Sequence, residues 1–293
     1  MLEQCVKMSE HEPLCNHTTF RIGGPARYYA VPENAAQIRE SILFAEEKGL
    51  PYITIGKGSN ILFSDEGYSG VVIEIGRGME QIEALEPGRI RAEAGVGLGA
   101  LAAAAAKLSL AGLEFASGIP GTLGGAVTMN AGAYGGEIRD CIVEASVLDR
   151  DGNVQALSRD ELELGYRTSV IQRGQYIVLE AVFELREGDR EEILARMREL
   201  NAKRREKQPL EYASAGSTFK RPEGHFAGKL IQDAGLRGYC VGDAQVSEKH
   251  CGFVINRGGA KASDIVQLIE DVQKRVFEMS GIRLEPEVKI IKG

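Results

Sequence analysis

The sequence predicts an α+β protein of more than one domain, and three observations carry that expectation. A chain of 293 residues exceeds the usual size of one domain. Strand-like alternation and helix-like spacing follow one another along it, with Gly and Pro punctuating the changes. The third observation is one glycine-loaded stretch, Phe115 to Glu137, FASGIPGTLGGAVTMNAGAYGGE. It holds Gly118, Gly121, Gly124, Gly125, Gly132, Gly135 and Gly136, with Gly112 just upstream, but no lysine or arginine. Such backbone can approach a ligand closely and offer N–H groups to an anion without cationic side chains, so it is a candidate cradle for a cofactor pyrophosphate. A long turn-rich connection between packed elements explains the same residues equally well. A Walker loop is excluded because no Gly-Lys-Ser/Thr closes the stretch, and GxGxxG at dinucleotide spacing is absent.

Apolar residues make up 43% of the chain, enough for a substantial core. The formal net charge of −7 argues against a general grip on nucleic acid, though not against an anionic ligand in a local basic pocket. No apolar run approaches the roughly 18 residues needed to span a bilayer. The N-terminal residues are polar and lack the apolar core of a signal peptide, so the cytoplasm is expected. Cys5, Cys15, Cys141, Cys240 and Cys251 are odd in number and lack a CxxC pair. Reduced thiols are the simplest account, and no metal site is expected.

Residues 18–32 read as a short opening strand, a Gly-Gly-Pro turn and an extended piece. Asn34 to Lys48 sets Ala35, Ile38, Ile42 and Ala45 on one face of an amphipathic helix. The strand YITI then runs into a small-residue turn, Gly56, Lys57, Gly58, Ser59 and Asn60, a common ligand position in an α/β layer. Lys57 could meet a phosphate there, although a lone lysine is by default solvated. GVVIEI and RIRAEAG continue the strands. Leu98 to Leu113 is an alanine-rich helix ended by Gly112, and beyond the glycine stretch two alternating runs turn through Asp151-Gly152 as a hairpin. Tyr176 to Leu185 is a strand. Asp189 to Lys207 is a charged helix with Ile193, Leu194, Met197 and Leu200 inward and its basic tail, KRREK, solvated. Pro209 opens a third region with helices near His225 to Ala234 and Ser263 to Met279, closing in an alternating RLEPEVKII. The expected domains are therefore 1–75, 76–208 and 209–293.

The order of GKGSN and then Gly118-Ile119-Pro120-Gly121 with Gly124-Gly125 resembles the vanillyl-alcohol-oxidase type of FAD domain, in which two α+β subdomains clasp the flavin. Later motifs narrow the likeness: Asn130-Ala131-Gly132-Ala133-Tyr134-Gly135, Tyr166-Arg167-Thr168-Ser169, Gly216-Ser217-Thr218-Phe219-Lys220 and Leu284-Glu285-Pro286-Glu287-Val288. As an ordered set these resemble the UDP-N-acetylenolpyruvoylglucosamine reductase family over essentially the whole chain. The direct passage from Tyr166 to the strand at Tyr176 resembles its shorter class, which lacks an inserted tyrosine loop.

The resemblance implies two FAD-binding subdomains followed by a C-terminal α+β substrate-binding domain whose last strand returns to the active site. It implies noncovalent FAD, since no histidine lies in either glycine-rich loop. NADPH is the implied reductant and UDP-N-acetylglucosamine enolpyruvate the substrate, with a monomer or weak dimer as the working form. Arg167 matches the cation for the developing enolate, Ser217 the proton donor and Glu287 the catalytic carboxylate. Each chemistry is reasonable: a fixed cation stabilises charge in the transition state, a hydroxyl can protonate an enolate, and a buried carboxyl can donate. Read alone, Arg167 could pair a sheet edge, Ser217 could bond within its loop, and Glu287 could face outward from a terminal strand. Lys220, Arg221, Lys229 and His250 are candidates for the substrate's diphosphate, and Tyr166 for the substrate side. Asn130 and Tyr134 could shape the flavin side. Two other readings stay open: a flavin- or nucleotide-sugar-binding protein without catalysis, and a flavin oxidase of the same fold.

Overall fold

In a computed structural model of the protein, residues 6–174 and 176–293 are described. Cys5 lies outside them. The chain forms two compact units. The first holds Tyr29–Lys57 and Val71–Arg204 with the described residues up to Ser9, and the second holds Glu10–Tyr28, Gly58–Gly70 and Arg205–Gly293.

The chain begins with β1 (Met8–Pro13) and β2 (Pro25–Ala30), then α1 (Ala35–Glu47), β3 (Tyr52–Ile55), β4 (Ile61–Phe63) and β5 (Tyr68–Glu74). One sheet has the order β1-β2-β5-β3, and β3 runs parallel to β5 with Ile53 beside Val72. Helix α1 starts where the Asn34 side chain accepts a hydrogen bond from Gln37 N, 3.0 Å away, and buries Ile38, Ile42 and Ala45. The strand expected at the start of residues 18–32 is absent. Thr18 Oγ1 donates to the Ile22 carbonyl (3.0 Å), Arg21 takes a φ of 56°, and the segment closes into a turn. Phe20 and Ile22 are buried all the same. Their alternation reports burial at both sides of a turn, which sequence cannot separate from a strand. Strand β1 falls in MSEHEP, where no apolar alternation announces it.

Next come β6 (Ile82–Leu85), β7 (Arg89–Glu93), α2 (Leu98–Lys107), β8 (Leu110–Ala111), α3 (Leu123–Met129), and a two-residue pair, β9 (Gly132–Ala133) and β10 (Gly136–Glu137). They are followed by β11 (Ile142–Leu148), β12 (Val154–Ser158), α4 (Val170–Gly174), β13 (Ile177–Glu184), β14 (Arg186–Glu187) and α5 (Arg190–Lys207). An antiparallel sheet of order β12-β11-β13-β7-β6 is the backbone of the first unit. Ala145, Ala181 and Ala92 lie side by side across its three central strands, and α3 packs against β13 and β7. The alanine-rich helix is shorter than expected. Ser109 takes a φ of 57°, which ends α2, and Leu110–Ala111 then pairs with Arg186–Glu187.

The chain ends with α6 (Ala227–Asp233), β15 (Cys240–Val241), β16 (Ala244–Val246), β17 (Val254–Asn256), α7 (Ala262–Ser280) and β18 (Lys289–Ile291). Ile265, Leu268, Ile269, Val272 and Val276 follow the helical period on α7 and are buried in the core of the second unit with Phe20, Leu62, Phe219 and Leu236. Burial of each such side chain is worth about 1.5–3 kcal/mol. Strand β18 runs parallel to β4, with Ile290 opposite Leu62. The closing strand is shorter than RLEPEVKII suggested, and Glu287 precedes it.

Candidate functional site

The glycine stretch sits in the first unit and is held at several points. Leu123 N and Gly124 N donate to the carbonyls of Val96 and Ala94, each at 2.8 Å. Gly121 N donates to Ile119 O at 3.0 Å. These amides anchor the turn through Ile119 and Pro120 to the end of β7, so they hold the loop itself. Gly125 is exposed on α3. Helix α3 stops at Asn130, whose φ is 42° and whose side chain is fully buried. Its Nδ2 donates to Gly165 O and its Oδ1 accepts from Arg139 N, both at 3.0 Å, so Asn130 joins three segments. Ala131 N donates to Ala126 O at 2.8 Å.

Beyond it, β9 and β10 form a hairpin tip through Tyr134 (φ 54°) and Gly135 (φ 87°). Positive φ at both central residues is the tight turn whose twist suits paired strands. Gly132 and Gly136 answer to space: a Cβ on Gly136 would lie 2.7 Å from Phe115 Cδ1, and one on Gly132 would lie 2.7 Å from the Gly136 carbonyl oxygen. Gly56 approaches as closely, since its Cβ would fall 2.1 Å from Thr122 Oγ1. The exposed Lys57 carries its Nζ to 3.0 Å from a Cβ position on Gly97, at the start of α2. The turn after β3 and the glycine stretch are thus neighbours in the first unit.

Arg204 is a candidate site residue that the sequence does not announce. Placed among solvated charges at the tail of α5, it is 8% exposed. Its guanidinium donates to Gly118 O and lies over the Tyr134 ring, with Cζ 5.9 Å from the centroid. One turn earlier Asn201 Nδ2 donates to Ser117 Oγ at 3.2 Å. Burial pushes the Arg204 pKa down, yet an arginine remains a cation at neutral pH. Among the described residues it forms no ion pair with a carboxylate. The missed signal was the four-residue step from buried Leu200 to Arg204, which continues the inner face of α5.

Arg167 lies in a tight turn closed by Gly165 N to Thr168 O (3.0 Å) and Thr168 N to Gly165 O (3.3 Å), and has a φ of 56°. Its guanidinium donates to Gly132 O at 3.2 Å and lies over the Tyr166 ring, 5.2 Å from the centroid. Tyr166 itself is exposed. Ser169, buried, donates to Thr128 O at 2.7 Å and fixes the turn to α3. The arginine is therefore tied to the glycine stretch.

Ser217 and Glu287 belong to the second unit and come together through backbone pairing. Residues 217–219 lie between two segments. On one side Thr218 N donates to Gly252 O (2.9 Å), and Ser217 bridges Phe253. On the other Glu287 N donates to Thr218 O and Lys220 N to Glu285 O, both at 2.8 Å, around a Phe219–Pro286 bridge. The buried Thr218 Oγ1 also accepts from Val254 N at 2.9 Å. Asn60 completes this frame: its Nδ2 donates to Glu287 O (3.1 Å) and its carbonyl accepts from Lys289 N (2.9 Å). Gly58 packs on His17, its Cβ position 2.2 Å from the carbonyl oxygen, while Ser59 is half-buried between Gly58 and Asn60. Ser217 remains exposed.

The candidate diphosphate cations differ in how they are held. Lys220 Nζ pairs with Glu285 Oε1 at 2.8 Å. Arg221 lies over the exposed Phe226 ring, 4.0 Å from its centroid. Lys229 is ion-paired with Asp233 on the surface of α6. His250 is not a cation here. Burial pushes its pKa down, and its Nδ1 accepts from Gly252 N at 3.1 Å, which requires the neutral ring.

Two family models match the chain: an FAD binding domain over residues 26–158, and the C-terminal domain of UDP-N-acetylenolpyruvoylglucosamine reductase over residues 208–291. A UDP-N-acetylenolpyruvoylglucosamine reductase from Agathobacter rectalis is 57% identical, with 96% of this chain and 93% of that protein covered. This chain belongs to the UDP-N-acetylenolpyruvoylglucosamine reductase family. A relative of the same name from Lachnoclostridium phytofermentans is 54% identical over 96% of this chain and 92% of its own length. The crystal structure of the Thermus caldophilus reductase aligns with a TM-score of 0.83 at 36% identity, covering 98% of each chain.

The first unit fits the FAD that this reductase family carries. From Phe115 to Gly136 the stretch contains no carboxylate side chain, and the cation buried against it has no described acidic partner. That donor set suits an anionic pyrophosphate. No described helix is long and apolar enough to cross a membrane.

Proposed function

We infer that this chain reduces UDP-N-acetylglucosamine enolpyruvate to UDP-N-acetylmuramate with NADPH, through FAD. The reaction belongs to peptidoglycan precursor synthesis, on which bacterial cell shape and division depend, and its nucleotide substrates are those of the cytoplasm. The observation that carries the reading is the pairing of the Ser217 segment with the Glu287 segment inside the reductase-specific domain, residues 208–291. Residues 1–75 and 76–208 serve as the two flavin-binding subdomains and 209–293 as the substrate domain. The working form is a monomer or weak dimer. The short path from the Arg167 turn through α4 to β13 supports assignment to the class without a tyrosine loop.

When bound, FAD would supply the hydride relay from NADPH to the terminal carbon of the enolpyruvyl group. Gly56, Lys57 and the glycine stretch through Asn130 and Tyr134 would hold the cofactor, with Gly58, Ser59 and Asn60 continuing the turn. Hydride addition leaves negative charge on the substrate carboxylate. Arg167, pinned by its bond to Gly132 O, supplies a fixed cation for that charge, which exists chiefly in the transition state. The Ser217 hydroxyl then gives its proton to the adjacent carbon, completing the saturated ether. Glu287, held through its backbone by Thr218 and the Asn60 side chain, would donate a hydrogen bond to the same intermediate in its protonated form. Tyr166, Lys220, Arg221 and Lys229 meet the nucleotide portion.

The test is an anaerobic visible spectrum during addition of NADPH and then of the enolpyruvyl substrate. Bleaching of the flavin band followed by its return is expected. A band that NADPH bleaches and the substrate does not restore overturns the substrate assignment, and rapid reoxidation by oxygen with an alcohol donor would favour an oxidase.

A further inference from the structure

His250 is seated in a site built for its ring. A Cβ on Gly252 would lie 2.9 Å from His250 Cε1, and one on Gly228 of α6 would lie 3.4 Å from the same atom. Phe253 meets the imidazole edge-on, 5.0 Å between centroids. The surrounding loop is saturated with hydrogen bonds. Ser247 N donates to Phe253 O and Phe253 N to His250 O, both at 2.9 Å, while the buried Ser247 Oγ accepts from Lys249 N and His250 N at 3.2 Å. The amide of Gly252 is taken by His250 Nδ1 at 3.1 Å. The other face of this residue carries the consequence, because Gly252 O accepts the Thr218 amide and the next residue, Phe253, bridges Ser217.

We propose that His250 is a positioning residue for Ser217: its Nδ1 holds the Gly252 N–H and so fixes the backbone at Gly252, whose carbonyl, in the next peptide unit, holds the segment carrying the Ser217 hydroxyl. The proposal rests on the proton-donor reading of Ser217. The neutral ring with its proton on Nε2 is the form that can do this, because an imidazolium has no lone pair to accept the Gly252 N–H. Without the ring, the buried Gly252 amide loses its acceptor, and the backbone at Gly252 is no longer held in the conformation that aims its carbonyl at Thr218.

The experiment uses the FAD-loaded protein with His250→Ala, His250→Asn and His250→Gln, beside Ser217→Ala, and times the two half-reactions separately. Asparagine can set Oδ1 near the Nδ1 position, whereas the longer glutamine sets its oxygen nearer Nε2. Substrate-driven reoxidation is expected to fall about tenfold or more in His250→Ala and His250→Gln and to recover in His250→Asn, with reduction by NADPH within about twofold throughout. Equal slowing of both half-reactions, or no difference between asparagine and glutamine, overturns the positioning role even if His250→Ala does not fold. Slow reoxidation in Ser217→Ala beside fast reoxidation in His250→Ala overturns the His250 role alone. Normal reoxidation in Ser217→Ala overturns the proton-donor reading and the inference with it.

Discussion

The Arg204 guanidinium donates to the carbonyl of Gly118, which lies 86 residues earlier in the chain, while its planar face covers the Tyr134 ring. One side chain from the last turns of α5 therefore holds both ends of the glycine stretch. Removing it frees the Gly118 carbonyl and the hairpin tip together.

Arg204→Ala is expected to weaken FAD binding about tenfold or more, since a hydrogen bond to a charged donor is worth about 1.5–3 kcal/mol. Arg204→Lys keeps the charge but loses the planar fork, and is expected to fall between the two. Fluorescence titration of flavin-stripped protein with FAD measures this. An unchanged dissociation constant in Arg204→Ala would remove the residue from this role.

Two glycines of the hairpin should separate close packing from backbone strain. A Cβ on Gly132 meets the Gly136 backbone carbonyl at 2.7 Å, which cannot turn aside as a side chain would. Nothing lies within 4 Å of a Cβ on Gly135, so Gly135→Ala meets only the strain of its φ of 87°, about 1–2 kcal/mol. Gly132→Ala is expected to lose flavin on gel filtration, and Gly135→Ala to keep it with a slightly lower melting temperature. Retention of flavin in both variants contradicts the crowding argument.

Much of this fold was legible because its signals are local. The helical step of Ile38, Ile42 and Ala45, and the turn Asp149–Asn153 between β11 and β12, need only short windows. The ordered motifs likewise carried the family and the site candidates. What stayed hidden depends on distant partners. Phe20 and Ile22 alternate like a strand but are buried around a turn, and β1 exists without any alternation of its own. Arg204 looked solvated because its partners, Gly118 and Tyr134, are far away in sequence. Sequence cannot separate glycines that leave room for a ligand from those that leave room for the protein itself, and Gly136 against Phe115 is of the second kind.

Asp65 caps helix α7 across a separation of 197 residues. Its Oδ1 accepts from Ala262 N at 2.7 Å, and its Oδ2 accepts from Ser263 N at 3.0 Å and Ser263 Oγ at 2.9 Å. Desolvation acts to raise its pKa, but these donors and the charge of Lys261 outweigh it and leave the carboxyl below its ordinary value. A depressed folded-state pKa contributes stability above the unfolded value of about 3.9, and that stability is lost as pH falls through the lower folded value. Asp65→Ala should cost about 1 kcal/mol near neutral pH, as for other helix caps. Asp65→Asn keeps an acceptor and should lose less there, while showing a shallower decline in acid. Urea midpoints taken at neutral pH and at about pH 3 read both effects, and identical acid dependence in wild type and Asp65→Asn rejects the linkage.

Cys141 and Cys240 should behave oppositely towards thiol reagents. Cys141 is buried, and desolvation, followed by the charges of Asp140 and Glu114, raises its pKa to about 12. Its Sγ lies 3.6 Å from the Ile138 carbonyl oxygen as a neutral donor. Cys240 is exposed. A chromogenic disulfide at about pH 8 should label Cys240 in the native protein and reach Cys141 only after unfolding, because the thiolate is the nucleophile. The same shift sets an alkaline limb. A thiol whose folded pKa is raised adds stability that is complete below the unfolded value of about 8.5 and is lost as pH climbs towards the folded one. Cys141→Ala removes that dependence, so between about pH 8 and pH 10 its urea midpoint should fall less than that of the wild type. Parallel declines, or native labelling at Cys141, would mean that the thiol ionises in the folded protein and that its surroundings are more polar than this packing allows.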